Sequence, residues 1–201
     1  MFKVIKTAGV AVGSIALALG LAAGSAEAGT AVRLTVPEMV DRAEAVFEGR
    51  VLDARAQVDA RGLVTTEYFV SVRETYWGVP YGTRTFSLPG GVLADGSGML
   101  VPGMPEVKVG EDAIFFLTEQ SPAGFRMPVG LAQGKFRLVT DPFGEVQLER
   151  DQEGLVLADP LTGAVLPADE RPLVSYDQVV STIRAAATAK TAHGQVVGEE
   201  R

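Results

Sequence analysis

The chain has 201 residues with 18 basic and 25 acidic side chains, a net charge of −7, one histidine and no cysteine. Thiol catalysis, disulfide exchange, cysteine-ligated zinc and multi-histidine zinc sites are therefore excluded. The acidic balance repels phosphate backbones and no basic cluster overrides it, so nucleic acid is not an expected partner.

Lys3 and Lys6 precede an uncharged run from Thr7 to Ala26, which closes on Ala26-Glu27-Ala28. That is the basic, apolar and A-x-A order of a secretory signal peptide. The run also matches a bilayer-spanning helix in length, roughly 17–25 residues. Its alanine and glycine content, the cleavage signal and the lack of a stop-transfer pattern favour cleavage, with Gly29 as the mature N-terminus and no stable membrane anchor. The remaining 173 residues hold 16 basic and 24 acidic side chains, a net −8, and suit one domain with its own core. An exported domain without disulfides, and without the cysteine of a lipoprotein, must be held by that core. The expected organisation is a signal peptide over 1–28, a β-barrel domain over 29–174, and a C-terminal helix with a flexible tail over 175–201.

Thr35, Pro37 and Glu38 stand as a capping box with an early proline and predict a short helix over Val36 to Ala43. A β-rich run follows from Ala45 to Val58, then a turn at Asp59-Ala60-Arg61-Gly62. LVTTEYFVSVRETYWG alternates strictly, with Val64, Thr66, Tyr68, Val70 and Val72 on one face, so the two runs predict a long hairpin. Thr83 to Leu88 is a third strand. Residues 89–112 hold six glycines and three prolines and predict a flap without regular structure. Val92, Leu93, Met99, Leu100, Val101 and Met104 give that flap enough apolar surface to dock on one barrel end. A loop of this length tends to be functional or disordered, and the apolar docking residues favour an ordered flap and a recognition surface.

Ala113-Ile114-Phe115-Phe116-Leu117 predicts a strand buried on both faces. Ser121-Pro122-Ala123-Gly124 turns the chain, and GKFRLVTDPFGEVQLER predicts a hairpin around Asp141 to Gly144 with Phe136, Leu138, Val146 and Leu148 available for the core. A smaller hairpin is expected around LADPLTGAVLP. SYDQVVSTIRAAATAK predicts a second helix, capped by Ser175 and Gln178, with Val179, Val180, Ile183 and Ala187 on one face. The last ten residues, from Ala192, are expected to fray. The sum is a mainly β fold, a small OB-like β-barrel with a short N-terminal helix and a C-terminal helix, because closure removes unpaired edges.

DRAEAVFEGRVLDARAQVDARGLVTTEYFVSVRETYWG resembles the first half of an uncharacterised family of exported bacterial proteins with an A-D-x-V-x-x-G-x-V start and a long hairpin. The resemblance continues through Pro89-Gly90-Gly91, Val101-Pro102-Gly103, Val109-Gly110-Glu111 and Gly130-Leu131-Ala132-Gln133-Gly134-Lys135-Phe136, and it brings no activity. The order of helix, hairpin and G-E-x-x-x-F-L strand is also similar to the netrin-like OB-like barrels of tissue inhibitors of metalloproteinases. Those inhibitors act through an N-terminal cysteine; here Gly29 would offer only a free amine beside Thr30.

His193 sits in a polar tail, where no third group can lock an imidazole for nucleophilic catalysis. Glu67, Glu74, Asp95, Glu106, Glu111 and Asp112 are spread around the expected barrel, and paired-acid hydrolysis needs two of them across a cleft. Asp95-Gly96-Ser97-Gly98 resembles a calcium loop without the full ligand series. No catalytic residue, metal ligand or cofactor is therefore assigned. The candidate binding residues are Tyr76, Trp77 and Tyr81, the only aromatic cluster, then Pro89, Gly90 and Gly91 of the flap, and Gln133 and Lys135 on a binding edge. Trp77 plugging one barrel end is the plainer alternative. The expected function is an exported, non-enzymatic binding domain with a protein partner; the alternatives are an inhibitor or accessory factor of an exported metalloprotease and a carboxylate-only hydrolase.

Overall fold

The computed structural model describes residues 29–78, 82–150, 154–167 and 173–199. The signal-peptide segment and Tyr81 lie outside the described residues. The elements in chain order are β1 Gly29–Val32, α1 Val36–Arg42, β2 Ala45–Val58, β3 Val64–Trp77, β4 Gly82–Pro89, β5 Gly91–Val92, β6 Gly98–Met99, β7 Asp112–Leu117, β8 Lys135–Thr140, β9 Val146–Glu149, β10 Leu155–Ala158, β11 Leu173–Ser175 and α2 Tyr176–Glu199. The fold is mainly β with two helices, as the residue patterns predict.

Seven strands form one antiparallel sheet in the order β11-β9-β8-β7-β2-β3-β4. Strand β7 explains why its sequence is a continuous apolar run. Ile114 and Phe116 face a core layer shared with Met39, Val40, Val179, Val180 and Ile183 of the helices, while Ala113, Phe115 and Leu117 face a second layer with Phe47, Val70, Phe86 and Leu88. In the second layer four rings form a chain, Phe47 to Phe115 to Phe86 to Tyr68, with 5.5 Å between successive centroids. Register shifts at Val46/Phe47, Glu48/Gly49 and Val51/Asp53 bend β2 against β3, which is what bulges do to a long hairpin, and curl it around this inner layer.

The curl does not close into the expected OB-like barrel: β4 and β11 are the two ends of an open sheet. After β7 the chain does not return to β4 as a strand. The segment after the Ser121–Gly124 turn crosses the gap with an isolated bridge, Leu117 to Pro128, and one backbone hydrogen bond in which Arg126 N–H donates to the Ser87 carbonyl at 3.4 Å. The chain then turns outward into β8 and β9, which extend the sheet beneath the helices instead.

Other departures are smaller. The glycine-rich flap holds a minimal hairpin, Gly91 and Val92 opposite Met99 and Gly98, because the Asp95 carboxylate accepts from Ser97 N–H at 2.9 Å and Ser97 Oγ at 2.6 Å and tightens the turn. Of the apolar flap residues expected to dock, Met104 packs on the inner layer together with Val107, whereas Val92 and Leu100 are exposed to solvent. Val146 is exposed, while Phe136 and Leu148 are buried. Strand β1, unforeseen, pairs in parallel with β10 from Gly29↔Leu155 to Val32↔Ala158. Helix α2 is assigned from Tyr176 to Glu199.

The capping box forms in full: Thr35 N–H and Oγ1 each donate to Glu38 Oε2 at 2.7 Å, and Glu38 N–H donates to Thr35 Oγ1 at 3.4 Å. The Thr35 backbone bond, then its hydroxyl, hold the Glu38 carboxyl below its ordinary pKa. Turn carboxylates do the same, Asp59 chiefly through Leu63 N–H and Asp159 chiefly through Thr162 N–H. Carboxyls depressed in the folded state contribute stability above the ordinary carboxylate range, near about pH 4, and lose it as pH falls through their lowered values. Urea midpoints measured across this range should fall on acidification. Thr35→Ala should cost about 1 kcal/mol near neutrality, and its difference from wild type should shrink once Glu38 is protonated.

Candidate functional site

Tyr76 and Trp77 close the β3 strand, and both serve the docking of α2. Glu48, buried on β2, accepts from the Tyr176 hydroxyl at 2.8 Å and the Tyr76 hydroxyl at 3.3 Å through the same Oε2. Burial, the leading cause, raises the pKa of both phenols, so they remain donors. The Lys190 ammonium lies 4.8 Å from the Trp77 ring centroid and donates to the carbonyls of Val40 at 3.0 Å, Asp41 at 2.7 Å and Ala43 at 2.8 Å. One lysine thus satisfies the C-terminal carbonyls of α1, which its own helix leaves without partners. Trp77 is a packing residue under that lysine.

Pro89, Gly90 and Gly91 form the root of the flap. Gly90 N–H donates to the Val64 carbonyl at 2.7 Å, and Thr66 Oγ1 donates to the Gly90 carbonyl at 2.7 Å. Gly91 has φ +132°, and a Cβ there would fall 2.0 Å from Thr66 Oγ1, so only glycine fits beneath that hydroxyl.

Gln133 and Lys135 are buried, not edge groups. Gln133 accepts from Leu34 N–H at 2.8 Å and donates to the carbonyls of Val32 at 2.9 Å and Gly130 at 3.1 Å, tying β1 to the body. Its turn starts at Leu131, whose φ of +61° is a left-handed conformation on a branched residue. Ala132 N–H, donating to the Gly103 carbonyl at 2.9 Å, anchors that turn to the flap. Lys135 Nζ lies 2.6 Å from Glu111 Oε1, with 3% and 7% of the two side chains exposed, and also donates to the Glu106 carbonyl. The pair joins β8 to the end of the flap.

The remaining acids do not converge. Asp112 pairs with Arg50 and Arg73, both at 2.9 Å, Glu106 with Lys108 at 2.8 Å, and Glu74 with Arg184 at 3.6 Å. Among the described residues no three His, Asp or Glu side chains stand close enough to hold a metal ion, and His193 is exposed on α2. No helix among the described residues is long and apolar enough to cross a membrane.

A recessed feature that sequence reasoning missed is the open seam itself. Between β4 and the 120–126 turn lies a cleft of about 290 Å³, lined by Glu67, Arg84, Thr85, Ser87, Gln120 and Arg126 among others. Arg126 is paired with Glu44. Arg84 Nε is buried without a hydrogen-bond partner, and burial lowers the Arg84 pKa. Arg84 shares the inward face of β4 with buried Phe86 and Leu88. That alternation, a charge where the apolar face should continue, was the available signal. With the geometry in place, comparison with protein families, with curated proteins and with solved structures finds no match to this chain.

Proposed function

We propose that this chain is an exported binding domain that recognises a protein partner and does no covalent chemistry of its own. The observation that carries the reading is the seam. Among the described residues a strand edge lies open beside an arginine with no counter-ion, while Lys135, Glu111, Gln133 and Glu48 hold the fold together. Natural proteins cover or blunt such edges, since an open one is a template for another chain, and partner strands use them through main-chain hydrogen bonds. Export rests on Lys3, Lys6, the uncharged run and the A-x-A site, and on the resemblance to exported bacterial proteins.

The protease-inhibitor alternative needs the Gly29 amine to reach a metal. That nitrogen instead donates to the Gly154 carbonyl at 2.9 Å, and a Cβ on Gly29 would fall 2.7 Å from the Pro102 carbonyl oxygen; the alternative requires β1 to leave β10. A carboxylate-only hydrolase needs a second acid in the cleft, and among the described residues Glu67 is the one acid lining it. Benzoyl-phenylalanine placed at Thr85 should give a discrete protein adduct in the exported fraction of producing cells, and the same group at exposed Thr188 of α2 should not. Matching adduct patterns from both positions, or none from Thr85, refute the reading.

A further inference from the structure

We propose that the seam accepts an extended peptide strand along Thr83–Thr85 of β4, with an acidic side chain of that strand seated on the Arg84 guanidinium. This rests on the binding reading above and deepens it. Arg126 N–H reaches the Ser87 carbonyl from outside the sheet, so Ser87 presents its backbone away from β3. Because strands repeat every two residues, Thr85 and Thr83 present theirs the same way. Among the described residues none pairs with them on that side, since β4 ends the sheet.

The choice of an acid follows from the charges. Arg50, Arg55, Arg61, Arg73, Arg126 and Arg137 each pair with a carboxylate. Arg84 pairs with none among the described residues, and its Nε is buried without a partner. A buried donor left unmade costs free energy that a carboxylate would recover, and a guanidinium fork matches a carboxylate geometrically. Glu67 does not meet this need. It stands opposite Ser87 in the β3–β4 register, an odd number of residues from Arg84, and therefore on the other face of the sheet. Its charge opposes a second acid on the outward face of the incoming strand, so the expected ligand carries a single acid at the inward position.

The test is an amide NMR titration of the mature protein with a nine-residue threonine- and serine-based peptide bearing one central aspartate, and with its asparagine counterpart. The aspartate peptide should bind at least about tenfold more tightly, the lower range for a hydrogen bond to a charged group, with shifts centred on Thr83–Ser87. Arg84→Met should erase that preference, and Arg84→Lys should keep part of it in a salt-dependent way. Thr85→Pro removes an outward N–H without breaking the β3 ladder and should weaken both peptides. Spectra that overlay away from β4 establish that each variant is folded; if Arg84→Met is not, Arg84→Lys and the salt series decide. Equal binding of the two peptides, no binding of either, shifts elsewhere, or a preference that survives Arg84→Met overturns the proposal. If Thr85 still gives its adduct, only the acidic preference fails; if it gives none, the binding reading fails with it.

Discussion

Lys135→Met is expected to cost about 3–5 kcal/mol of stability at neutral pH, because it leaves the Glu111 carboxylate buried without its counter-charge. The Glu111 side chain is 7% exposed and neither of its oxygens accepts a well-directed hydrogen bond, so the ion pair with the ammonium 2.6 Å away is its main compensation. The same substitution removes the donor to the Glu106 carbonyl, and limited proteolysis should then cut within residues 90–111. Lys135→Met combined with Glu111→Leu removes both charges, and its urea midpoint should recover most of the loss, since a buried ion pair is often replaceable by apolar groups of similar volume. A single variant as stable as the wild type would show that water reaches Glu111 in solution.

The second large effect is expected at Trp77. Trp77→Ala should cost about 3–5 kcal/mol, because the ring packs with the helix-side core and carries the Lys190 ammonium on its face. Trp77→Phe should keep most of that stability, and a double-mutant cycle with Lys190→Met should show coupling of roughly 0.5–2 kcal/mol. Trp77 is the only tryptophan, so its emission follows the docking of α2 directly. If Trp77 instead anchored a partner, Trp77→Phe would abolish the Thr85 adduct at unchanged stability, and that result would remove its packing role.

Short-range signals carried much of the fold. The Thr35–Glu38 box, the alternation from Val64 to Val72, the apolar run of β7 and the spacing of Val179, Val180, Ile183 and Ala187 are local patterns, and each formed where expected. What escaped is long-range. Nothing in GTAV announces a parallel partner more than a hundred residues away, and closure depends on whether one short segment can reach β4 with more than a single bond. The surroundings of the candidate binding residues depend on the same long-range packing. Trp77, Gln133 and Lys135 are groups that bind when exposed; contacts distant in sequence bury Gln133 and Lys135 and half-bury Trp77 beneath Lys190. Arg84 was visible only as a charge among alternating apolar residues, which reads as an ordinary strand end until the sheet is seen to stop there.

The parallel pairing of Gly29 with Leu155 also sets an order of assembly. The first strand has no place to settle until most of the chain has been delivered, and pairings of such separation form slowly. A chain made N-terminus first therefore keeps Gly29–Val32 without its partner strand until the segment around Leu155 has followed.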